Sequence, residues 1–263
     1  MRPLSVPELL TVWERGLTAL PFERALAILS VASPESSPAA LARLSIGRRD
    51  ANLLQLREWA FGSELAILAA CPSCRQTLEL TIPVSALRVS LDPKLYPTRD
   101  PTGAPAAQSA SDLEGSLMLK DMLLDYEVRY RSPNTEDITE CAGLEFAASR
   151  RRLLACCVTD ARCQGRAVSA EELPEDVARK VVEQIAALDP QADTRLDLTC
   201  PECHGRWKEV FDIVSFFWAE IDAWARRVLR EVNVLARAYG WRESDILALS
   251  PVRRQIYLSM VQV

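Results

Sequence analysis

Two short cysteine pairs constrain this chain more than any other feature. Cys71-Pro72-Ser73-Cys74 and Cys200-Pro201-Glu202-Cys203 lie far apart in the sequence and share the pattern Cys-Pro-x-Cys. Each pair forms a tight turn that can direct two sulfurs at one metal ion, so two pairs supply the four thiolates of a tetrahedral zinc site. The pattern predicts one structural zinc ion bound by Cys71, Cys74, Cys200 and Cys203, with a long insertion between the halves of a zinc ribbon.

Two other interpretations of the pairs stay open, a redox dithiol and a metal site whose function has been lost. A redox dithiol usually begins a helix that lowers the thiol pKa. Here residues 77–82 and 207–212 follow the pairs with strand-like composition. Four sulfur ligands leave no open position for water, so a bound zinc ion would be structural.

Charged residues next to the pairs have two interpretations. Four thiolates and one zinc ion carry a net charge of about −2, which nearby cations would offset. Arg75, Arg206 and Lys208 are candidates for this role, and a solvated surface explains them equally well. His204 is the only histidine and follows Cys203 directly, so simultaneous binding of one metal by both neighbours is geometrically awkward.

The composition is that of a globular protein of one domain with a large insertion, or of two small domains. The chain has 263 residues, 49% of them hydrophobic and 25% charged, and a net charge of −5. This mild acidity argues against non-specific nucleic-acid binding. The N-terminal sequence lacks the apolar core of a signal peptide, and no apolar run reaches the roughly 18 residues of a membrane span. We therefore expect a cytoplasmic protein with reduced thiols, with association with an assembled particle as the alternative.

Periodicity divides the chain into six regions. They are a helical N-terminal region (1–70), the first ribbon half (71–96), a flexible linker (97–116), an inserted strand and helices (117–193), the second ribbon half (194–212) and a helical C-terminal region (213–263). Within the insertion, one helix is predicted from the N-cap at residues 132–135 to about residue 157, and another over 169–188. The fold class is predicted to be α+β, mainly helical, around a small zinc-ribbon β element.

Aromatic residues near the start of the C-terminal region are predicted to pack in a core. Because residues 216–218 span more than one face of a helix, an apolar docking face is the alternative. The candidate partner-binding residues are Phe216, Phe217, Trp218 and Trp241. Four further cysteines lack the Cys-x-x-Cys spacing and are predicted to be ordinary core thiols: Cys141, Cys156, Cys157 and Cys163.

The sequence offers little material for catalysis. One histidine leaves no Cys/His or Ser/His/Asp set, and there is no glycine-rich phosphate loop. The carboxylates Glu136 and Asp137 are explained by the start of a helix. We expect a protein that is not an enzyme, with no catalytic or cofactor-binding residues beyond the zinc ligands, no small-molecule substrate and no membrane.

Several stretches together resemble the T-even-phage-type baseplate hub assembly chaperone family, whose homologues also occur in bacterial gene clusters for phage-tail-like contractile injection systems. The stretches are Ile46–Asp50, Leu53–Arg57, Phe61-Gly62, both cysteine pairs, Leu78–Leu80, Val128–Asp137, Phe211–Ile213 and Tyr239–Pro251. One departure is that glycine often follows the last cysteine of such knuckles, where this chain has Arg75 and His204.

The resemblance implies a binding function without catalytic residues. It implies that the chain assists assembly of the baseplate hub and that its partners are baseplate or hub proteins. Two alternatives remain, a structural baseplate subunit retained in the particle and a zinc-ribbon nucleic-acid or transcription adaptor. The acidic composition disfavours the adaptor.

Overall fold

The structure is a computed structural model that describes residues 1–89, 114–121 and 124–261. Its helices are α1 (Val6–Gly16), α2 (Pro21–Ala32), α3 (Pro38–Ala42), α4 (Ile46–Phe61), α5 (Val84–Leu87), α6 (Thr135–Cys141), α7 (Phe146–Cys157), α8 (Glu175–Leu188), α9 (Ile213–Tyr239), α10 (Glu243–Ala248) and α11 (Pro251–Val261). Its strands are β1 (Glu64–Ala70), β2 (Thr77–Pro83), β3 (Glu114–Asp121), β4 (Leu124–Arg131), β5 (Val158–Cys163), β6 (Arg166–Ala167), β7 (Arg195–Thr199) and β8 (Arg206–Val210).

The chain forms two units. The helical unit combines residues 1–34 with the chain from residue 213 onward, and the mixed unit contains residues 35–212. Within the described ranges, no helix combines the length and the apolar character needed to cross a membrane.

The helical unit is built on α9. The predicted apolar periodicity of this helix is confirmed, because side chains three and four residues apart are buried along its length, from Ile213 to Leu235. Helices α1, α2, α10 and α11 pack against it. Gly240 follows with φ of 66°, a left-handed conformation that ends helices readily because glycine has no Cβ.

Close packing between α1 and α9 depends on a small residue. A Cβ atom at Gly16 would lie 2.2 Å from the ring of Trp218. The guanidinium of Arg24 lies 4.5 Å from the centre of the same ring, and Trp13 Nε1 donates a hydrogen bond of 2.8 Å to Asp222. Trp218 is thus enclosed within the helical unit.

The mixed unit contains a four-stranded antiparallel sheet in the order β3-β4-β5-β6, covered by α8. Alternate residues of β4 are buried against α8, as the sequence predicts for residues 126–131. Strand β3 begins at Glu114, inside the segment 97–116 that was predicted to be a linker. Residues 97–113 lie outside the described residues.

Two predicted helices of the insertion are interrupted. The helix expected from residue 135 to about 157 is divided into α6 and α7, because Gly143 takes φ of 78° between them. The helix expected over 169–188 begins as a short 3-10 helix, Ala170–Glu172, and restarts as α8 after Pro174. A capping box at Ser169 is present, but the proline prevents a continuous helix.

The remaining strands form two separate hairpins, hairpin 1 (β1–β2) and hairpin 2 (β7–β8). Hairpin 1 begins at Glu64, so part of the region 1–70 that was predicted to be helical is a strand. The mixed content confirms the α+β class. Among the described residues, the two hairpins are separate two-stranded sheets, each with one cysteine pair at its tip, and the predicted zinc ribbon stays a prediction.

Candidate metal centre

The two knuckles, Cys71–Cys74 and Cys200–Cys203, occupy equivalent places. In hairpin 1 the last paired residues are Ala70 and Thr77, and the knuckle follows Ala70. In hairpin 2 the last pair is Thr199 and Arg206, and the knuckle follows Thr199. The sequence pattern thus predicts the position of both turns, at the tips of strands rather than at the start of a helix.

The backbone hydrogen bonds of the two turns match. Arg75 N–H donates to the carbonyl of Cys71 at 2.9 Å, and His204 N–H donates to that of Cys200 at 3.0 Å. Cys71 N–H and Cys200 N–H donate in turn to the carbonyl five residues further on, each at 2.9 Å. The same turn is therefore built twice.

The residue after each knuckle has a left-handed backbone. Arg75 has φ of 63° and His204 has φ of 58°, although neither is glycine. Such a conformation costs an ordinary residue about 1–2 kcal/mol. The turn therefore keeps its shape without the glycine that the resemblance leads one to expect.

The four knuckle sulfurs meet at one point. All four lie within 4.8 Å of one another, and the pairs Cys71–Cys203 and Cys74–Cys200 are each separated by 3.6 Å. A disulfide has an S–S distance of about 2.05 Å, so these are free thiols. Ligands about 2.3 Å from a tetrahedral ion lie about 3.8 Å apart, close to the observed spacing. The geometry fits a four-thiolate metal site.

The first cysteine of each pair is buried and the second is exposed. Cys71 is 1% exposed and Cys200 is 0% exposed, and both pack with Leu78 in a small apolar cluster flanked by Leu80 and Trp207. Cys74 and Cys203 face solvent. The site is therefore anchored on its inner side and accessible from its outer side.

Hydrogen bonds give the sulfurs different pKa values. The backbone N–H of Cys74 lowers the pKa of the Cys71 thiol to about 6, against the opposing effect of burial. The backbone N–H of Gln76 acts to lower the pKa of the Cys74 thiol, but burial and the neighbouring sulfurs outweigh it and raise that pKa to about 12. One thiolate forms readily, and four together require a cation that offsets their repulsion.

In the part of the chain that the structure describes, the residues beside the knuckles add no ligand to the four sulfurs. Among the described residues, His204 is not part of the group that has metal-ligand spacing. Lys208 lies 3.7 Å from Asp197 in an exposed ion pair of small energetic weight. The predicted charge compensation by Arg75, Arg206 and Lys208 stays a prediction.

A buried glutamine joins the hairpins at the end opposite the knuckles. Gln191 is 1% exposed; its Oε1 accepts from Val89 N–H at 2.9 Å, and its Nε2 donates to the carbonyl of Leu87 at 3.1 Å. Nε2 also donates to Thr194 Oγ1 at 2.9 Å. We call these four residues the base junction, since they connect the exit of hairpin 1 with the entry to hairpin 2.

Helix α4 is attached beside the base junction through a glycine. Gly47 N–H donates to Asp189 Oδ2 at 2.8 Å, and a Cβ atom at Gly47 would lie 2.0 Å from Asp189 Oδ1. The carboxylate therefore caps the N-terminus of α4 at a distance that only glycine permits. No pattern in the sequence predicts the base junction or this contact, because their residues are isolated polar groups far apart in the chain.

The segment 131–137 also contacts the N-terminus of α4. Arg131 forms two hydrogen bonds with Asp137, of 2.6 and 2.7 Å, and Asn134 and Asp137 cap each other at the start of α6. The carbonyl of Pro133 accepts from Ile46 N–H at 3.0 Å. The predicted N-cap is confirmed, and the carboxylate of Asp137 has a structural role.

The candidate partner-binding residues are not equally accessible. Phe217 is fully buried and Trp218 nearly so, and both pack within the helical unit. Core packing therefore describes these two side chains, and the alternative of a docking face at 217 and 218 does not hold. Phe216 and Trp241 are half-buried, and Trp241 stacks on Tyr239 with ring centres 4.6 Å apart.

The other four cysteines lie outside the metal centre. Cys157 is buried, and burial raises the pKa of its thiol to about 12. Burial together with the nearby Glu140 carboxylate raises the pKa of Cys156 to about 11. Cys141 and Cys163 are partly buried. Raised pKa values keep Cys156 and Cys157 as unreactive thiols at neutral pH.

Comparison with known proteins identifies a family. Residues 27–218 match the family described as T4 bacteriophage base plate protein. That range contains both hairpins, the base junction and α4. Searches of curated proteins and of solved structures return no match. Because the match spans more than half of the sequence, this chain belongs to the T4 bacteriophage base plate protein family.

Proposed function

We propose that the chain is a non-enzymatic, zinc-stabilised protein-binding factor that assists assembly of the baseplate hub in a contractile phage tail or a phage-tail-like injection system. The observation that carries the proposal is the family match, whose range includes all four knuckle cysteines. Family membership gives the chain a role in the baseplate and baseplate proteins as its partners. The zinc ion and the assembly role are the further steps.

Zinc is the metal that the donor set favours. Four thiolate ligands at tetrahedral spacing suit Zn²⁺, which has no redox chemistry and no geometric preference of its own. Cys71, Cys74, Cys200 and Cys203 would hold the ion, and its positive charge would stabilise the thiolates. With all four positions filled by sulfur, the ion would tie the hairpin tips together and would present no site for a substrate.

The polar groups that sequence analysis considered for acid/base chemistry, above all Asp137, are used in capping and in the ion pair with Arg131. A binding function then resides in the surfaces that the hairpins and helices present.

Affinity capture during assembly tests the proposal. The tagged full chain is expressed with the complete set of baseplate proteins of its own cluster, and bound proteins are identified at successive stages of assembly. We expect one baseplate protein to be recovered at near-equal stoichiometry before the sheath is added. Recovery of no baseplate protein at any stage contradicts the proposal.

A structural subunit that stays in the particle is the second candidate, and the family description fits it as well as it fits an assembly factor. Purified mature particles distinguish the two functions. An assembly factor is absent from them, whereas a subunit is present in a fixed number of copies per baseplate.

A further inference from the structure

Strand β1 of hairpin 1 has one backbone edge that does not face β2. The pairing of β1 with β2, together with the bond from Cys71 N–H to the Gln76 carbonyl, shows which backbone groups point toward β2. Because the groups of an antiparallel pair alternate in direction, every second residue of β1 points its N–H and C=O groups away from β2. These outward residues are Glu64, Ala66, Leu68 and Ala70.

The outward backbone groups of β1 are unpaired. Within residues 1–89, 114–121 and 124–261, the structure records no hydrogen bond to them, and β1 has no strand neighbour besides β2. The side chains of the same residues are exposed, Leu68 to 70%. Buried backbone groups without a partner are rare, so these groups face water. Their spacing makes the edge complementary to another extended strand.

The outward edges of the other hairpin strands carry features that prevent strand addition. By the same alternation, Glu79 and Pro83 lie on the outward edge of β2. In hairpin 2, the outward residues include Asp197 on β7 and Lys208 on β8. Charged side chains and proline on an edge disfavour the pairing of a further strand. The edge of β1 has neither between Glu64 and the first knuckle.

Two copies of β1 complement each other in one antiparallel register. With a two-fold axis beside Ile67, Ala66 of one copy is opposite Leu68 of the other. In the same register Glu64 is opposite Ala70, so no like charges are opposed. All four outward residues then point their backbone groups at the shared edge, which gives about eight hydrogen bonds. The exposed apolar side chains of Ala66 and Leu68 would pack across the axis.

Such pairing ends at two copies. The joint sheet would have a β2 edge at each end, where Glu79 and Pro83 disfavour a third copy. The Glu79 side chains of the two copies would lie about 14 Å or more apart, beyond the Debye length at physiological salt. We propose that the outward edge of β1 is a dimerisation site, at which a second copy of this chain pairs with β1 in antiparallel register. This site is independent of the metal centre and of the baseplate role.

Sedimentation equilibrium of the purified full chain tests the oligomeric state. The shared edge is small beside standard interfaces of about 1,600 Å², so we expect a reversible dimer with a dissociation constant in the micromolar range. A chain that stays monomeric up to about 1 mM overturns the proposal. Assemblies that grow beyond two copies also overturn it, because they contradict the protection of the β2 edges.

Amide hydrogen exchange at single-residue resolution tests the location of the contact. In dilute solution the outward amides of Ala66 and Leu68 should exchange fast, whereas those of Leu65 and Ile67, which point toward β2, should be protected. Above the dissociation constant, the amides of Ala66 and Leu68 should become protected as well. A dimer in which these two amides stay unprotected uses another surface and overturns the proposal.

Substitutions with matched controls test the chemistry of the edge. Ala66→Pro removes an outward donor and no bond to β2, so it should weaken dimerisation about tenfold or more. Leu68→Lys should weaken it too, because the two lysines would be diagonal neighbours across the axis. The controls Thr81→Pro and Thr81→Lys, on the outward edge of β2, should leave dimerisation unchanged. Circular dichroism shows which variants are folded; a folded Ala66→Pro or Leu68→Lys that dimerises like the wild type overturns the proposal.

Discussion

The two hairpins are joined at both ends, and the two ends use different chemistry. At the tips, four sulfurs lie within 4.8 Å of one another and two of them face solvent. At the base, the buried side chain of Gln191 forms three hydrogen bonds, to Val89, Leu87 and Thr194. Four thiolates at the tip would need a cation to offset their charge, whereas the hydrogen bonds at the base join neutral groups.

The difference shows how the chain can prepare a metal site before metal binds. The base junction and the Gly47–Asp189 contact hold the hairpins in register by hydrogen bonds within the mixed unit. The sulfurs then need only small movements to surround an ion. Binding of an ion to such a site would still contribute to stability, because the ion would hold together four thiolates that otherwise repel one another or take up protons.

Among substitutions at the two ends of the hairpins, loss of a knuckle cysteine should lower the stability of the protein most. Cys200→Ser should lower the free energy of unfolding of the mixed unit by more than about 3 kcal/mol, because structural zinc sites couple metal binding to folding. Urea unfolding followed by tryptophan fluorescence measures the change. A strong chelator should destabilise the wild type by a similar amount and should not affect the variant; equal stability of variant and wild type contradicts the prediction.

Removal of the base junction should have the next largest effect. Gln191→Leu removes the partners of the half-buried Val89 N–H and of the buried Leu87 carbonyl, which should cost about 2–4 kcal/mol. Gln255→Leu, at an exposed position on α11, is the control and should change stability by less than about 0.5 kcal/mol. Zinc content should remain at the wild-type value, and its loss would show that the base is required for the tip to form.

Gly47→Ala should destabilise the attachment of α4 by about 1–3 kcal/mol, since the new Cβ would overlap Asp189 Oδ1. Helix propensity alone predicts the opposite sign, a gain of about 1 kcal/mol for alanine over glycine. Thermal unfolding decides between them. A stabilised variant would mean that the carboxylate moves away without cost.

The smallest effect should come from the left-handed residue of the first knuckle. Arg75→Gly should stabilise the protein by about 0.5–1 kcal/mol, because glycine adopts φ of 63° without strain. Arg75→Ala removes the same charge and keeps the Cβ atom, so it should give no gain. Equal effects of the two substitutions would assign the change to charge rather than to the backbone.

The sequence predicts the tip of the hairpins and not the base, for a physical reason. Ligand spacing is a local property, so Cys71-Pro72-Ser73-Cys74 reveals its turn without any knowledge of the fold. Gln191 and Asp189 act through partners about 100 or more residues away, and nothing in their local sequence marks them. Helical periodicity likewise predicts α9, where one face is continuously buried.

The sequence pattern does not reveal every strand, nor the interruptions within the predicted helices. Strand β5 follows α7 with no intervening turn residues, so its short pattern merges with the helix before it. The division between α6 and α7 depends on the positive φ of Gly143, which a periodic pattern does not reveal. The docking alternative for Phe217 and Trp218 failed because both side chains are enclosed within the helical unit, close to Gly16 in the case of Trp218.

Elemental analysis of the purified chain tests the central claim most directly. We predict about one zinc ion per chain in the wild type and in the control Cys163→Ser, and less than about a tenth of that in Cys71→Ser and Cys200→Ser. Zinc retained in both knuckle variants, another metal in place of zinc, or no metal in the wild type would contradict the account.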